Sequence, residues 1–401
     1  MTRHLPGLVL LAAAAGCSSS PSPVLPPAPL PVLEAPARVE RLWSLQVGEG
    51  ASDKYLRLRP VFDGTTGWAV DHAGVLAAFD TTTGRLLWER ALEREVAGAL
   101  TLHRGRLLLG TSQGEVLAVD AGDGRILWQA AVSSEVLAPP RVAGETVVVR
   151  TGDGRLYGLA WADGSRRWVY DRSTPALSLR GTSAPLVWQG IIVAGFDSGR
   201  LVALTANDGT VLWEVPVGVP RGRTELERMV DVDADPVVRD DLVYAVSYQG
   251  RVVCVELASG RLLWVREMSA YAGIAVDPYR VFVADAEGTV WALDRFNGST
   301  LWKQAALARR MLTGPALVEG HIVVGDFAGY LHWLRRDDGR LVARARMDGL
   351  AAGDGDDDDS GAEVPRYTRT YNILVPPLPL RDALLAYDRR GVLAAWRLAG
   401  Q

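Results

Sequence analysis

A short motif, glycine followed four residues later by tryptophan, recurs along this chain and limits what it can fold into. Six occurrences at near-regular spacing begin at Gly84, Gly124, Gly164, Gly209, Gly260 and Gly298. A single such motif would carry no information, whereas six at near-regular spacing predict a repeat architecture. The structure of the repeat unit therefore determines the fold of this chain.

Each motif lies inside a longer unit of alternating strands. In residues 114–128, an apolar strand that alternates in and out is followed by an Asp-Gly turn and by a second strand that carries the tryptophan. Two more short strands precede the unit, as in residues 98–110 and 314–325. Four antiparallel strands every 40 or so residues are typical of a β-propeller.

The tryptophan strands give the number of blades. Six repeats supply one each, Ala343 replaces the seventh, and the last unit reaches Gln401 before its own. The missing strand is predicted at residues 39–47, around Trp43. We therefore predict, for residues 37–401, an all-β, eight-bladed β-propeller of four-stranded antiparallel blades, whose last blade is closed by the N-terminal strand so that sheet edges are hidden.

The tryptophans of the repeat are predicted to be structural, each ring packing against the neighbouring blade. The alternative is a ring of aromatic side chains on which a ligand stacks. The predicted structural residues are Trp43, Trp88, Trp128, Trp168, Trp213, Trp264 and Trp302.

Residues 1–16 are predicted to be a secretory signal peptide, because a basic start is followed by an apolar run too short to span a bilayer as a mature helix. The end of this segment, Gly16-Cys17, resembles the lipobox of bacterial lipoproteins, in which the cysteine is lipidated, although Ala14 stands where leucine is usual. By the same resemblance, Ser18 implies the outer membrane. The alternative is an ordinary signal peptide with a chance cysteine.

Residues 17–36 are predicted to be the lipidated cysteine and a Pro/Ser-rich tether that reaches up to roughly 60 Å. Once Cys17 is used, Cys254 is the only other cysteine, so the domain has no internal disulfide. Cys254 occupies the repeat position of alanines in other blades and is interpreted as a small buried hydrophobic residue.

Composition and spacing argue against two classes of function. The net charge is −4, without the basic surplus expected of a nucleic-acid-binding protein. The five histidines are scattered, and no His/Asp/Glu cluster has metal-ligand spacing. We therefore predict neither a cofactor nor a metal site.

The repeat resembles that of pyrroloquinoline-quinone propellers, a superfamily of both enzymes and scaffolds. The resemblance to its dehydrogenases implies a pair of adjacent cysteines, a bound calcium ion and a catalytic aspartate. Cys17 and Cys254 cannot form that pair. A periplasmic quinoprotein-type enzyme is therefore the alternative, and a protein without enzymatic activity is the prediction.

The lipobox, the Pro-rich tether and the eight repeats together resemble the BamB family of outer-membrane β-barrel assembly lipoproteins. This resemblance implies a non-enzymatic scaffold, lipid-anchored at the periplasmic face of the outer membrane. It also implies binding to the periplasmic POTRA domains of BamA, within the complex that folds and inserts outer-membrane proteins. Unfolded outer-membrane proteins are a further partner that the all-β architecture suggests.

Two stretches carry the finer part of this resemblance, residues 176–185 and residues 224–236. Both fall in longer-than-average spacings, where loops on a rigid frame carry function. The residues implied to contact BamA are Leu177, Leu179, Arg180, Asp231 and Asp233.

The chemistry of these residues suits a protein interface. In an extended loop Leu177 and Leu179 share one face beside Arg180, an apolar anchor next to a cation. Asp231 and Asp233 would also share a face, where they bind a basic partner or orient Arg180. The alternative from spacing alone is the start of an inner strand and a solvated loop with one buried capping aspartate.

The longest spacing contains an acidic stretch, residues 353–361, rich in aspartate. Carboxylates are calcium ligands, but this stretch lacks the ordered spacing of a known calcium loop. Like charges in a Gly-rich run repel one another and extend the chain. We predict a surface loop here, with calcium binding as the alternative.

Overall fold

The computed structural model describes residues 25–171, 183–219, 223–224, 229–348 and 373–399. The predicted signal peptide, Cys17, Leu177, Leu179, Arg180 and the acidic stretch lie outside these residues, and the predictions made for them stay predictions. Among the described residues, no helix is long and apolar enough to cross a membrane.

Eight sheets of four antiparallel strands form the described part of the chain, and they are arranged as an eight-bladed β-propeller. The predicted fold class is confirmed. The first strand, β1 (Val39–Gln46), belongs to the last blade, and seven blades follow it along the chain. The first three are β2 (Val61–Asp63), β3 (Thr66–Val70), β4 (Val75–Asp80) and β5 (Leu86–Ala91); β6 (Thr101–His103), β7 (Arg106–Gly110), β8 (Glu115–Asp120) and β9 (Ile126–Ala131); β10 (Arg141–Ala143), β11 (Thr146–Arg150), β12 (Leu156–Ala160) and β13 (Arg166–Tyr170).

The remaining blades repeat the pattern of a three-residue inner strand, two longer middle strands and an outer strand, except that the inner strand of the eighth is shorter. Blades four to eight are β14 (Leu186–Trp188), β15 (Ile191–Gly195), β16 (Arg200–Thr205) and β17 (Val211–Pro216); β18 (Val237–Arg239), β19 (Leu242–Val246), β20 (Arg251–Glu256) and β21 (Leu262–Glu267); β22 (Ile274–Val276), β23 (Arg280–Ala284), β24 (Val290–Asp294) and β25 (Thr300–Gln304); β26 (Ala316–Val318), β27 (His321–Gly325), β28 (Tyr330–Arg335) and β29 (Leu341–Arg346); and β30 (Leu378–Pro379), β31 (Leu384–Tyr387) and β32 (Val392–Leu398) with β1.

The N-terminal strand closes the ring, as predicted. β1 pairs antiparallel with β32 from Val39 opposite Leu398 to Gln46 opposite Val392. The two ends of the propeller sequence are thereby joined in one sheet, which removes an unpaired edge.

The middle strands of each blade are apolar on both faces because each blade has a neighbour on either side. Residues 107–109 and 116–119 are fully buried, for example. Strands that are buried on both faces appear as continuous apolar runs rather than as an alternation. The outer strands expose more of their side chains, as in the pattern of β5.

The repeated tryptophans join six of the blades to the next one. Six of them donate an indole hydrogen bond of 2.7–3.2 Å to the carbonyl that follows the third strand of the next blade. The donors are Trp43, Trp128, Trp168, Trp213, Trp264 and Trp302, and all six are buried. In the first blade Trp68 of β3, rather than the half-buried Trp88, donates to the corresponding carbonyl, that of Ala121, at 2.9 Å.

A small residue opposite each tryptophan makes room for its ring. Cys254 pairs with Trp264, and alanine or glycine takes the same position in the other blades, as Ala203 does opposite Trp213. Burial raises the pKa of the Cys254 thiol to about 11, so this cysteine is a packing residue with an unreactive thiol. In blade seven the pair is reversed, with Trp333 opposite Ala343.

The glycine of each motif contacts the tryptophan of the preceding blade. A Cβ atom on Gly260 would lie 2.6 Å from Cγ of Trp213, and the corresponding distance from Gly298 to Cε3 of Trp264 is 2.7 Å. The same contact recurs at the equivalent glycines of the other tryptophan-bearing interfaces. Gly and Trp of one motif therefore serve two different interfaces, which explains why they recur together.

We expect Gly260→Ala to destabilise the protein more than Gly105→Ala does, by about 1–3 kcal/mol. Both glycines have a left-handed backbone, with φ of +71° and +72°, so both variants carry the same backbone cost. A Cβ on Gly105 has nothing within 4 Å, whereas one on Gly260 meets Trp213. Urea unfolding of the two variants measures the difference, and equal losses would show that the ring contact has no energetic weight.

The chain that precedes β1 lies against blades six and seven. Ala28 donates a backbone hydrogen bond of 2.9 Å to the carbonyl of Ala308. Arg310 donates to the carbonyl of Ala28 at 3.0 Å, and Arg344 to that of Pro31 at 2.8 Å. Residues 26–31, part of the predicted tether, are thus hydrogen-bonded to the propeller.

Candidate functional site

The described part of the predicted partner site is the segment of residues 229–236, which leads from blade four to blade five. It contains Asp231 and Asp233. The chain of the other predicted stretch is described again from Ser183, which follows Arg180 by three residues in the sequence. The site can therefore be built from this segment and from the point at which the first stretch returns to the fold.

Residues 229–236 are packed into the propeller rather than laid over it. Val230 and Val232 are buried, and Val232 lies against the backbone of Gly195, where a Cβ atom would clash with it. The carbonyl of Asp231 accepts a hydrogen bond from the amide of Tyr248 at 2.9 Å. The segment is therefore fixed to both blade four and blade five.

The carboxylates of this segment are also buried. Asp231 is 0% exposed and Asp233 is 5% exposed. In this position they do not form an open acidic face that a basic partner could cover. Burial is compatible with the other role predicted for them, the orientation of Arg180, which stays a prediction because Arg180 lies outside the described residues.

The two predicted stretches meet at Ser183 and Ala184. The hydroxyl of Ser183 donates to the carbonyl of Ala234 at 3.1 Å. The amide of Ala184 donates to the carboxylate of Asp235 at 2.7 Å. Stretches that are separated by about fifty residues of sequence are thereby fastened to each other by two hydrogen bonds. We call this contact the loop junction.

A buried ion pair supports the loop junction from blade three. Arg150, at the end of β11, lies 2.6 Å from the carboxylate of Asp197, and the side chains are 2% and 4% exposed. The guanidinium of Arg150 also donates to the carbonyl of Ser183 at 3.4 Å. Blades three, four and five therefore all contribute to the position at which the first stretch returns to the fold.

The sequence analysis did not identify Arg150, Ser183, Asp197 and Asp235 as site residues. Of these, Arg150 could have been recognised from the repeat pattern. In six of the first seven blades, the second strand ends in a small or apolar residue, such as Gly110, Gly195 or Val246. Arg150 is the charged exception at that repeat position. A charge where the repeat otherwise has a small or apolar residue indicates a local role that the repeat itself does not need.

Comparison with known proteins gives the same family in sequence and in structure. A family model described as outer membrane protein assembly factor BamB matches residues 72–304. A relative from Pseudomonas aeruginosa, named outer membrane protein assembly factor BamB, is 44% identical over 346 residues, which cover 86% of this chain and 91% of the relative. The crystal structure of BamB from Moraxella catarrhalis matches with a TM-score of 0.77 and 26% identity, over 90% of this chain and 100% of that one.

An enzyme of the same fold also matches. The quinohemoprotein alcohol dehydrogenase from Comamonas testosteroni superposes with a TM-score of 0.68 over 90% of this chain and 77% of its own. Its sequence is 12% identical. At that identity the likeness shows a shared propeller fold and nothing about activity.

Proposed function

Because this chain belongs to the BamB family of outer membrane protein assembly factors, we propose that it works in outer-membrane protein assembly as a scaffold that binds the periplasmic POTRA domains of BamA. The observation that carries the proposal is the loop junction. It anchors one end of the stretch that contains Leu177, Leu179 and Arg180 to three blades of a rigid propeller. A loop held on a rigid frame loses less conformational entropy on binding.

No catalytic chemistry is needed for this role, and the protein is an assembly factor rather than an enzyme. The relatives that share its sequence over most of their length are named as assembly factors. The adjacent cysteine pair implied by the quinoprotein dehydrogenases cannot form from Cys17 and Cys254. What the fold supplies is a set of surfaces and loops in fixed relative positions.

The contact itself is proposed to lie on the first stretch. Leu177 and Leu179 supply apolar contacts, and the guanidinium of Arg180 forms charge-assisted hydrogen bonds with carboxylates of the partner. Asp231 and Asp233 are proposed to orient Arg180 from the inner side of the site, because they are buried in the segment to which the first stretch is hydrogen-bonded. A buried carboxylate stabilises a nearby guanidinium more strongly than an exposed one does, since water screens it less.

The protein is proposed to work at the periplasmic face of the outer membrane, held by acyl chains on Cys17. The contacts of residues 25–36 with blades six and seven support a short connection, since Arg309 donates to the carbonyl of Pro26 at 2.6 Å. Between Cys17 and Pro26 the chain spans at most roughly 30 Å. The side of blades six and seven would therefore be the part of the propeller nearest the membrane.

Binding of the purified protein to the POTRA region of BamA from the same organism tests the proposal. We expect Arg180→Glu to weaken binding at least tenfold, because it replaces a charge-assisted contact by a repulsive one. Arg125→Glu is the matched control, since Arg125 is an exposed arginine on a turn of blade two. Calorimetric titration measures the affinity of each variant.

The outcomes separate the partner from the site. Loss of binding in Arg180→Glu alone supports both. Binding that both variants retain would move the interface elsewhere on the propeller. A wild-type protein that does not bind the POTRA region at all would overturn the proposed function.

A further inference from the structure

A cavity of about 250 Å³ lies at the axis of the propeller. Its wall is formed by residues at or just before the start of the inner strands of seven blades, and small or rigid residues such as Gly273, Gly314 and Pro376 leave the space open. Blade four lines a second cavity of about 300 Å³ that shares Arg141 and Asp235 with the first. The two cavities therefore adjoin each other at Arg141, Asp235 and Pro236.

Among the described residues, the charged side chains that line this cavity belong to three arginines and one aspartate. They are Arg57, Arg59, Arg141 and Asp235. The guanidinium of Arg141 lies 3.5 Å from the carboxylate of Asp235, so this arginine has its counter-charge. Two of the three cations are left over, since a single carboxylate faces them from the cavity wall.

Arg57 and Arg59 form no ion pair with any described residue. Arg57 donates one hydrogen bond of 3.3 Å to the carbonyl of Tyr271, and its Nε atom is buried with no partner among the described residues. Arg59 lies two residues further along the chain, at the same cavity wall. Both side chains are half-buried, so each is only partly hydrated.

One of these two cations, Arg59, lies close enough to Arg141 to affect its pKa. The pKa of Arg141 is lowered, first by its burial and also by the positive charge of Arg59, against the attraction of Asp235. Like charges gathered in a concave site raise the local potential and attract counter-ions. A guanidinium presents a planar fork of donors that matches the two oxygens of a carboxylate or a phosphate.

We propose that the axial cavity is a binding site for a small multivalent oxyanion, carboxylate or phosphate, held by Arg57 and Arg59. The volume suits a small molecule rather than a folded partner. The wall selects by charge, because its single carboxylate is already paired with Arg141. Asp235 lines the cavity and also belongs to the loop junction, but Arg57 and Arg59 do not contribute to the loop junction. Anion binding and BamA binding can therefore be tested independently.

Citrate and inorganic phosphate are the probes, each titrated calorimetrically into the purified full chain at constant ionic strength set with potassium chloride. We expect saturable binding of at least one probe in wild type and a roughly tenfold or greater loss of affinity in Arg59→Gln, since each charge-assisted hydrogen bond to an anion is a strong one. Arg125→Gln, which removes an exposed arginine, is expected to bind as wild type does. Preference for citrate identifies a carboxylate site, and preference for phosphate a phosphate site.

Arg59→Lys separates charge from geometry. It keeps the cation but loses the fork, and we expect intermediate affinity. Each variant is also tested for thermal unfolding and for binding to the POTRA region, both of which should match wild type if Arg59 serves the anion alone. No saturable binding of either probe in wild type, or equal affinity in wild type and Arg59→Gln, would overturn the proposal and leave the proposed function untouched.

Discussion

Asp197→Ala should lower the free energy of unfolding by about 3–5 kcal/mol, the usual cost of breaking a buried ion pair by removing one partner. The side chains of Arg150 and Asp197 are 2% and 4% exposed, and their charged atoms lie 2.6 Å apart. The variant leaves the cation of Arg150 buried without its counter-charge. Urea unfolding followed by tryptophan fluorescence measures the loss.

An exposed ion pair of nearly the same length provides the control. Arg104 and Glu145 lie 2.7 Å apart, but their side chains are 56% and 58% exposed. We expect Glu145→Ala to cost about 1 kcal/mol or less, because water screens an exposed pair. Similar losses in Asp197→Ala and Glu145→Ala would contradict the argument that burial gives the Arg150–Asp197 pair its weight.

The same variant connects stability to the proposed function. Arg150 also donates to the carbonyl of Ser183, which belongs to the loop junction. Under conditions where Asp197→Ala is folded, its binding to the POTRA region should weaken if the loop junction positions the contact stretch. Unchanged binding would mean that the two hydrogen bonds from Ser183 and Ala184 are sufficient by themselves.

The repeat made the propeller predictable because the same contacts recur at most interfaces between blades. The motif that supplies a glycine to one neighbour and a tryptophan to the other marks six blades, and Ala343 and Trp43 at the same repeat position mark the other two. Exceptions to the repeat were harder to predict from the sequence. That Trp68 donates to Ala121 in place of Trp88 depends on the register of β3 beside β4, which the sequence does not state.

The site was predicted less completely, for a physical reason. Asp231 and Asp233 alternate with valines, a pattern that suggests one polar and one apolar face, yet the structure buries both sets between two blades. Arg57 and Asp235 are far apart in the sequence and line one cavity only because the ring closes. Residues that converge through closure of a ring leave no local pattern to recognise.

Trp213→Ala should also be among the most destabilising substitutions, with an expected loss of about 3–5 kcal/mol. The side chain is buried between blades four and five, and its indole donates a hydrogen bond of 2.7 Å to the carbonyl of Leu257. The variant leaves a cavity against Gly260 and a carbonyl without its donor. Both losses fall on one interface between blades.

Trp88→Ala is the matched comparison, because Trp88 occupies the same repeat position but is only partly buried. The carbonyl that its indole would be expected to meet, that of Ala121, is already bonded to Trp68. We therefore expect a smaller loss of stability in Trp88→Ala than in Trp213→Ala, measured by urea unfolding of both. Equal losses would show that burial and the indole hydrogen bond do not account for the stability that the repeated tryptophan contributes. The ring contact with the next blade's glycine, which both residues share, would then account for the stability of the interface.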